Sequence, residues 1–210
     1  MRTRARASAP GKIILLGEHF VVHGEPAIVL AIDKRAVVTA QLRDDRRIWV
    51  WSETLKASGY FVNDRFHTQK GEESTEERFE PVYAVAKSVL GISGRDCGVD
   101  VEINSSIPIS AGLGSSAAVA VASAAALNEL LGAGLSKDGV FQLAFDAEKI
   151  VHGTPSGIDP AISTYGGVLL YRSGKNVKPL NIQVDLPLVI GDTMQERPTG
   201  KMVAHVNGLR

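Results

Sequence analysis

The stretch that decides the fold is "PISAGLGSSAAVAVASAAALNELLG", residues Pro108–Gly132, in which a Pro/Gly/Ser loop runs directly into a run of small residues. The run predicts a helix from Ser115 to Leu131, ended by the glycines that follow. Two interpretations of the loop compete. The free N–H groups of a first helical turn can hold a phosphate, but small residues after such a loop are as often explained by close packing of a core helix.

Two familiar phosphate-binding patterns do not account for this loop. The pattern G-x-x-x-x-G-K-[ST] fails because no lysine follows the glycines. Gly112, Gly114 and Ala117 satisfy G-x-G-x-x-A, but the preceding strand ends near Ile103 and the helix is followed by another helix instead of a strand. What remains is a Gly/Ser loop capping a helix, with Ser115 and its neighbour facing the ligand.

Composition bounds the class of protein. The chain has 210 residues, of which 44% are apolar and 22% charged, as expected of a globular chain with one large domain or slightly more. Its 23 basic and 23 acidic residues cancel, so bulk charge favours no nucleic-acid partner. No apolar stretch approaches the roughly 20 residues that cross a bilayer, so we expect no membrane span. The single Cys97 excludes an intrachain disulfide and fits a reducing, cytoplasmic setting.

The order of predicted elements indicates an α+β fold, because strands come mostly early and helices mostly later. Ala27–Ile32 and Arg35–Leu42 predict a hairpin around Asp33 and Lys34. The polar segment Ser52–Glu80 predicts a surface excursion or the start of a helix. Further strands are predicted at Ile13–Leu16, Arg47–Trp51, Val99–Ile103, Gly166–Tyr171 and Leu186–Ile190, and further helices at Pro81–Leu90, Ser136–Val151, after the loop that begins at His152, and from Thr199.

Three motifs in order give the chain a family resemblance. "PISAGLGSSAA", from Pro108, resembles the phosphate-binding motif of the GHMP kinases. "APGKIILLGEHFVVHGEPAIVLAI", Ala9–Ile32, is similar to the N-terminal motif of the mevalonate kinase family. "AEKIVHGTPSGIDPAISTYGG", Ala147–Gly167, resembles that family's segment with a metal-ligating glutamate and a catalytic aspartate. The resemblance covers most of Ala9 to Val206, and its compact spacing is typical of archaeal or bacterial members.

The resemblance implies a fold and an activity. The fold is a GHMP-kinase N-terminal domain over residues 1–185, with a left-handed βαβ unit like domain 2 of ribosomal protein S5. A ferredoxin-like C-terminal domain would only begin at residues 186–210. The implied activity is ATP-dependent phosphorylation of the C5 hydroxyl of mevalonate, which gives 5-phosphomevalonate in isoprenoid biosynthesis, with Mg²⁺ as cofactor. The alternatives are a kinase for another small alcohol (phosphomevalonate, a sugar or homoserine) and a catalytically weak nucleotide- or metabolite-binding fragment.

The resemblance also assigns catalytic roles, each with a structural alternative. Lys12 is implied as a catalytic lysine beside the phosphoryl acceptor, where a fixed ammonium stabilises developing negative charge; otherwise it is a solvated lysine at a strand edge. Asp159 is implied to contact the C5 hydroxyl; otherwise it caps a helix. Phosphoryl transfer through a loose transition state asks little of a base. We therefore expect Asp159 to position the hydroxyl more than to abstract its proton early.

The ligand-binding roles follow in the same way. Glu148 and the Ser116 hydroxyl are implied as magnesium ligands, with Ser115 as the rival for the hydroxyl role and a surface glutamate as the structural alternative. Glu18, His19 and Thr199 are implied to lie by the substrate. The ATP-binding loop comprises Pro108, Ser110, Ala111, Gly112, Leu113, Gly114, Ser115, Ser116 and Ala117.

One departure from the family pattern concerns the C-terminal end. Members usually contain a third glycine-rich motif beyond the N-terminal domain, and this sequence contains none. We therefore expect Leu186–Arg210 to be a strand and part of a helix without their partners. The expected consequences are weak or no activity of these residues alone, poor solubility, or a homodimer formed through the exposed segment.

Overall fold

The structure, a computed structural model, describes residues 3–18, 20–72, 75–152, 155–174, 177–183 and 187–191. These residues form a mixed sheet covered by helices, which confirms the α+β class. The strands in the described residues are β1 (Arg4–Leu16), β2 (Ala27–Arg43), β3 (Ile48–Ser52), β4 (Ala57–Val62), β5 (Arg65–Lys70), β6 (Gly98–Ser105), β7 (Val168–Tyr171) and β8 (Lys178–Pro179). The α-helices are α1 (Thr75–Ser93), α2 (Ser115–Leu131), α3 (Lys137–His152) and α4 (Ile158–Tyr165), and a 3-10 turn spans Val21–His23.

The long strand β2 organises the sheet. It pairs antiparallel with β1 along almost its whole length, with β6 through its second half and with β7 through its first half. The sheet order is β5-β4-β3-β6-β2-β7-β8, with β1 on the other side of β2. The pair β3 and β6 is parallel, and the chain reaches β6 from β3 through β4, β5 and α1.

The predicted hairpin around Asp33 and Lys34 is wrong. The strand β2 continues through both residues, and its pairing with β1 shifts register at this point, between the partners of Pro10 and Lys12. The irregularity is a bulge in one continuous strand. Sequence alone did not separate the two outcomes, because a bulge and a tight turn are both marked by polar residues that interrupt an alternating pattern.

The expected surface excursion at Ser52–Glu80 is also wrong for its first part. Residues 57–70 form the hairpin β4–β5, in which Ala57, Gly59 and Phe61 face the core on alternate positions.

The predicted helix Pro81–Leu90 is confirmed but begins earlier, at Thr75. Two glutamates in its first turn favour that start, because acidic side chains stabilise a helix N-terminus.

The helices after the glycine loop agree with the sequence pattern. The helix α2 spans Ser115–Leu131 as predicted and ends at Gly132, which has a left-handed φ of 66°. The helix α3 begins after Ser136, whose hydroxyl accepts a hydrogen bond from the Gly139 amide at 3.1 Å, the N-cap contact expected there.

Two hydrophobic cores lie on one face of the sheet. The larger contains α1, α2 and α3 packed on strands β1 to β6. The smaller joins α4 to β7 and the first half of β2. The alanines of α2 are buried almost all round, from Ala117 to Ala126, so neighbouring elements approach this helix closely. The close-packing interpretation of the small residues therefore holds for the body of α2.

The C-terminal predictions are only partly covered by the described residues. Residues 187–190 contain no strand, contrary to the prediction for Leu186–Ile190, and Leu188 and Val189 are exposed. A strand needs a hydrogen-bonding partner, and the described chain provides none at this position. The helix predicted from Thr199 lies outside the described residues.

Among the described helices, none is both long enough and apolar enough to cross a membrane.

Candidate active site

The irregular pairing of β1 and β2 positions Lys12. At this point the backbone N–H of Lys12 donates to the carbonyl oxygen of Leu113 at 2.9 Å, so β1 holds the glycine loop directly. The contact needs glycine at the preceding position, because a Cβ on Gly11 would lie 2.8 Å from the same oxygen. The sequence pair Gly11-Lys12 thus joins two motifs that are far apart in the chain.

The glycine loop also packs on the Lys12 side chain. Gly114 is the N-cap of α2 and has a left-handed φ of 73°. A Cβ at Gly114 would lie 2.9 Å from Lys12 Cγ and 3.7 Å from Asp159 Oδ2. Glycine is required at this position for two separate reasons, the backbone conformation and the close approach of the lysine.

Lys12 and Asp159 form an ion pair under this loop. The Nζ atom of Lys12 lies 3.2 Å from Oδ1 of Asp159, and their side chains are 8% and 24% exposed. Asp159 lies in the first turn of α4 and Gly157 is the N-cap, so Asp159 is not the capping residue of this helix. The solvated-lysine interpretation of Lys12 is wrong, because the residue is buried.

Glu148 lies on α3 and brings a second carboxylate to this pair. It is only 7% exposed, which overturns the surface-glutamate interpretation. Burial, together with the nearby Asp159 carboxylate, raises the pKa of Glu148 to about 8, and the Lys12 ammonium offsets this only in part. A second carboxylate therefore lies close enough to the Lys12–Asp159 pair to interact electrostatically with both residues.

The loop and the start of α2 are open to a ligand. Pro108, Ser110, Gly112 and Ser116 are exposed, and Ser115 is half-buried. Ser110 has a φ of 58°, an unusual value for a residue with a side chain. The N–H groups of the first turn of α2 have no partner inside the helix, as at every helix N-terminus.

Of the three predicted substrate residues, the structure describes only one. Glu18 is exposed in the turn after β1. His19 and Thr199 lie outside the described residues. The described residues contain no group of three or more His, Cys, Asp or Glu side chains arranged to hold a metal. A metal held by Glu148 would therefore also need hydroxyl, phosphate or water ligands.

Sequence reasoning missed the contacts that hold α4 in place. The Ser163 hydroxyl, buried at 3% exposure, donates to the Pro10 carbonyl oxygen at 2.9 Å and ties α4 to β1. The Tyr171 hydroxyl donates to the Ser156 carbonyl oxygen at 2.6 Å. A polar residue on the buried face of α4 was the only signal for the first contact, and no signal identified the second.

A separate depression lies at the end of β2. It is lined by Leu42, Arg43, Asp44, Asp45 and Asp100. Arg43 donates two hydrogen bonds to Asp45 and one to Asp100. The hydrogen bonds from Arg43, together with one from the Arg47 backbone, lower the pKa of Asp45 to about 2. Neither Lys12, Glu148 nor Asp159 lines this depression, so we do not regard it as part of the site.

Comparisons with known proteins show what the chain is similar to. Residues 80–167 match the family of GHMP kinases N terminal domain. The chain is 42% identical over 203 residues to the mevalonate kinase of Pyrococcus horikoshii, a match that covers 95% of this chain and 60% of that protein.

Solved structures of similar shape include mevalonate kinases. That of Methanococcus jannaschii has a TM-score of 0.70 at 26% identity, covering 85% of this chain and 56% of the other. The enzyme of L. major in complex with R-mevalonate has a TM-score of 0.72 at 26% identity, covering 100% of this chain and 63% of the other. The chain spans about 60% of the length of the curated relatives it matches.

Proposed function

We propose that the chain, whose residues 80–167 match the N-terminal domain of GHMP kinases, belongs to an ATP-dependent kinase that phosphorylates the C5 hydroxyl of mevalonate. The observation that carries the proposal is the buried Lys12–Asp159 pair beneath the glycine loop, with Glu148 beside it. The identity to a mevalonate kinase supports this acceptor over phosphomevalonate, a sugar or homoserine. The neighbour that binds R-mevalonate supports it as well.

In the proposed reaction the oxygen on C5 of mevalonate attacks the γ-phosphorus of ATP. The new bond is O–P, and the bond that breaks joins the γ-phosphorus to the oxygen bridging it to the β-phosphate, so ADP leaves. Asp159 orients the hydroxyl and receives its proton, while the Lys12 ammonium stabilises charge on the transferring group. The ion pair holds both groups in place before substrate arrives, which lowers the cost of orienting them.

The glycine loop is the proposed site for the ATP phosphates. Gly112 and Gly114 allow the backbone to approach the ligand, and the free N–H groups at the start of α2 donate to phosphate oxygens. Ser115 and Ser116 add hydroxyl groups at the first two positions of the helix. The rest of the loop, Pro108, Ser110, Ala111, Leu113 and Ala117, shapes this turn.

Glu148 is the proposed protein carboxylate for Mg²⁺, with the Ser116 hydroxyl as second ligand. The donor set fits a hard divalent cation, because Glu148 is a buried carboxylate near a second one, Asp159, and bound positive charge would favour its ionised form. When bound with ATP, Mg²⁺ neutralises charge on the phosphate oxygens. Ser115 remains the alternative hydroxyl, although Ser116 is the more exposed of the two.

The remaining assignments are part of the same proposal. Glu18, His19 and Thr199 would contact mevalonate, and residues 186–210 would open a second, ferredoxin-like domain after residues 1–185. The setting would be the cytoplasm and the pathway isoprenoid biosynthesis. ATP and mevalonate are the proposed partners, with no role for nucleic acid or a membrane. A homodimer is also proposed, and the oligomeric state in solution tests it.

The proposal is tested by ADP release from MgATP with mevalonate, phosphomevalonate, galactose or homoserine as acceptor. The same acceptors are titrated calorimetrically, in parallel with the Asp159→Asn variant. Weak ADP formation with mevalonate alone, lost in the variant, is the expected result. Turnover with a different acceptor would replace mevalonate as the substrate. Binding without turnover would favour a nucleotide- or metabolite-binding fragment. If the chain showed no binding and no turnover, that result would contradict the proposal.

A further inference from the structure

The turn before α4 is held from one side by a buried tyrosine. Tyr171, on β7, is 4% exposed, and its hydroxyl donates to the Ser156 carbonyl oxygen at 2.6 Å. Ser156 lies in the turn that leads to Gly157 and the first residue of α4. The hydrogen bond therefore joins the end of the sheet to the segment that presents Asp159.

The same turn is closed from the other side by α3. Gly157 has a φ of 82°, and a Cβ placed on it would lie 2.6 Å from the Tyr171 hydroxyl and 3.0 Å from the Phe145 ring. Nothing larger than glycine fits between these two aromatic side chains without moving one of them. The turn is thus confined both by a hydrogen bond and by direct packing.

The confinement is transmitted to Asp159 over a short distance. The Ile158 amide, at the start of α4, donates to the Ser156 hydroxyl at 3.4 Å, which ties the helix start to the same residue that Tyr171 holds. Asp159 follows directly and pairs with Lys12. A shift of the Ser156 carbonyl therefore changes where the Asp159 carboxylate lies relative to the ammonium.

We propose that Tyr171 is a positioning residue for phosphoryl transfer, because its hydroxyl holds the Ser156–Gly157 turn and so keeps Asp159 against Lys12. The catalytic part of this inference rests on the function proposed above. The positioning part stands on the contacts of the turn alone. A misplacement of about 1 Å at a reacting group can reduce a rate by about 100-fold, so a modest loosening of the turn has a measurable effect.

The test compares Tyr171→Phe with Tyr165→Phe. The Tyr165 hydroxyl donates to Asp138 at 2.6 Å near the other end of α4, so the control removes one tyrosine hydroxyl from the same helix region but leaves the turn untouched. In Tyr171→Phe we expect kcat to fall by about 10-fold. The KM values for mevalonate and ATP should change by less than about twofold, because uniform binding is retained. Tyr165→Phe should match wild type.

Amide hydrogen exchange gives a second readout that needs no activity. Exchange at Ser156–Ile158 should become about fivefold faster in Tyr171→Phe and stay unchanged in Tyr165→Phe. Protection of α2 should be the same in both variants, which shows that the fold is intact. Gly157→Ala supplies a second perturbation of the same turn and should also speed exchange there.

The outcomes separate this inference from the proposed function. An active wild type whose kcat is unchanged by Tyr171→Phe would overturn the catalytic role of Tyr171 and leave the proposed function standing. Unchanged exchange at the turn in Tyr171→Phe would overturn the positioning role, whatever the activity. A wild type that neither binds mevalonate or MgATP nor transfers phosphate would contradict the proposed function, and the exchange result would then decide the positioning role by itself.

Discussion

The Lys12 ammonium lies 3.2 Å from the Asp159 carboxylate, although one residue comes from the first strand and the other from the last helix of the described chain. Three contacts make this meeting possible. The Lys12 amide holds the glycine loop, Gly114 leaves room for the lysine side chain, and Ser163 ties α4 to β1. The pair is therefore a product of the packing of β1, the glycine loop and α4.

Replacing Asp159 with asparagine should abolish most turnover while leaving substrate binding nearly intact. The amide keeps the shape of the carboxylate but cannot accept the hydroxyl proton, and losses of about 100-fold or more are usual for such groups. ADP release and calorimetric titration of MgATP measure the two effects. Asp146→Asn on α3 is the control, because Asp146 is a surface residue paired with Lys149. An active Asp159→Asn enzyme would remove the residue from the mechanism.

Alanine at Gly114 should destabilise the protein more than alanine at Gly112. Both glycines have a φ near 74°, so the backbone penalty of about 1 kcal/mol or more is shared. Only at Gly114 does the new Cβ meet another group, Lys12 Cγ at 2.9 Å, whereas nothing lies within 4 Å at Gly112. Urea unfolding of the two variants measures the difference. Equal stabilities would show that the lysine moves away at no cost.

Removing the Ser163 hydroxyl should cost about 1–2 kcal/mol of unfolding free energy, because the buried Pro10 carbonyl loses its donor. Ser123→Ala is the matched control. Ser123 is also fully buried, but its hydroxyl has no hydrogen-bond partner among the described residues. Its removal should therefore be neutral or stabilising. Thermal or urea unfolding compares the two, and a Ser163→Ala variant as stable as wild type would show that the contact contributes nothing.

Glu148 should make the metal-free protein less stable as the pH rises. Its folded pKa of about 8 lies above the ordinary value of 4.5, so between these values the folded state holds a proton that the unfolded state has lost. Its contribution is complete below pH 4.5 and declines until the pH passes about 8. The slope is at most about 1.4 kcal/mol per pH unit for one proton.

The measurement is the melting temperature in EDTA from pH 5 to pH 9. Glu148→Gln should flatten the decline and should gain stability relative to wild type at the upper end. Glu80→Gln, an exposed position on α1, should follow the wild-type curve. Parallel curves for wild type and Glu148→Gln would mean that Glu148 does not titrate in this window.

The local part of the fold was predictable from sequence. The helix α2 could be bounded at both ends because its small residues, the glycines around it and its length all agree. The strand at Val99–Ile103 followed from strict alternation of apolar and charged residues. The β4–β5 hairpin was missed because β5 is almost entirely exposed and its polar sequence carries no periodic signal.

For the candidate site, the sequence by itself determined which motifs are present and, through their resemblance to a kinase family, which residues to consider. Only the tertiary structure decided that Lys12 and Glu148 are buried and that Tyr171 and Ser163 hold the turn and the helix beside them. The physical reason is that burial and charge pairing depend on how β1, α3 and α4 pack against one another beside the irregular pairing of β1 and β2. That meeting is set by strand register and by close approach at Gly11 and Gly114, and no local pattern along the chain encodes it.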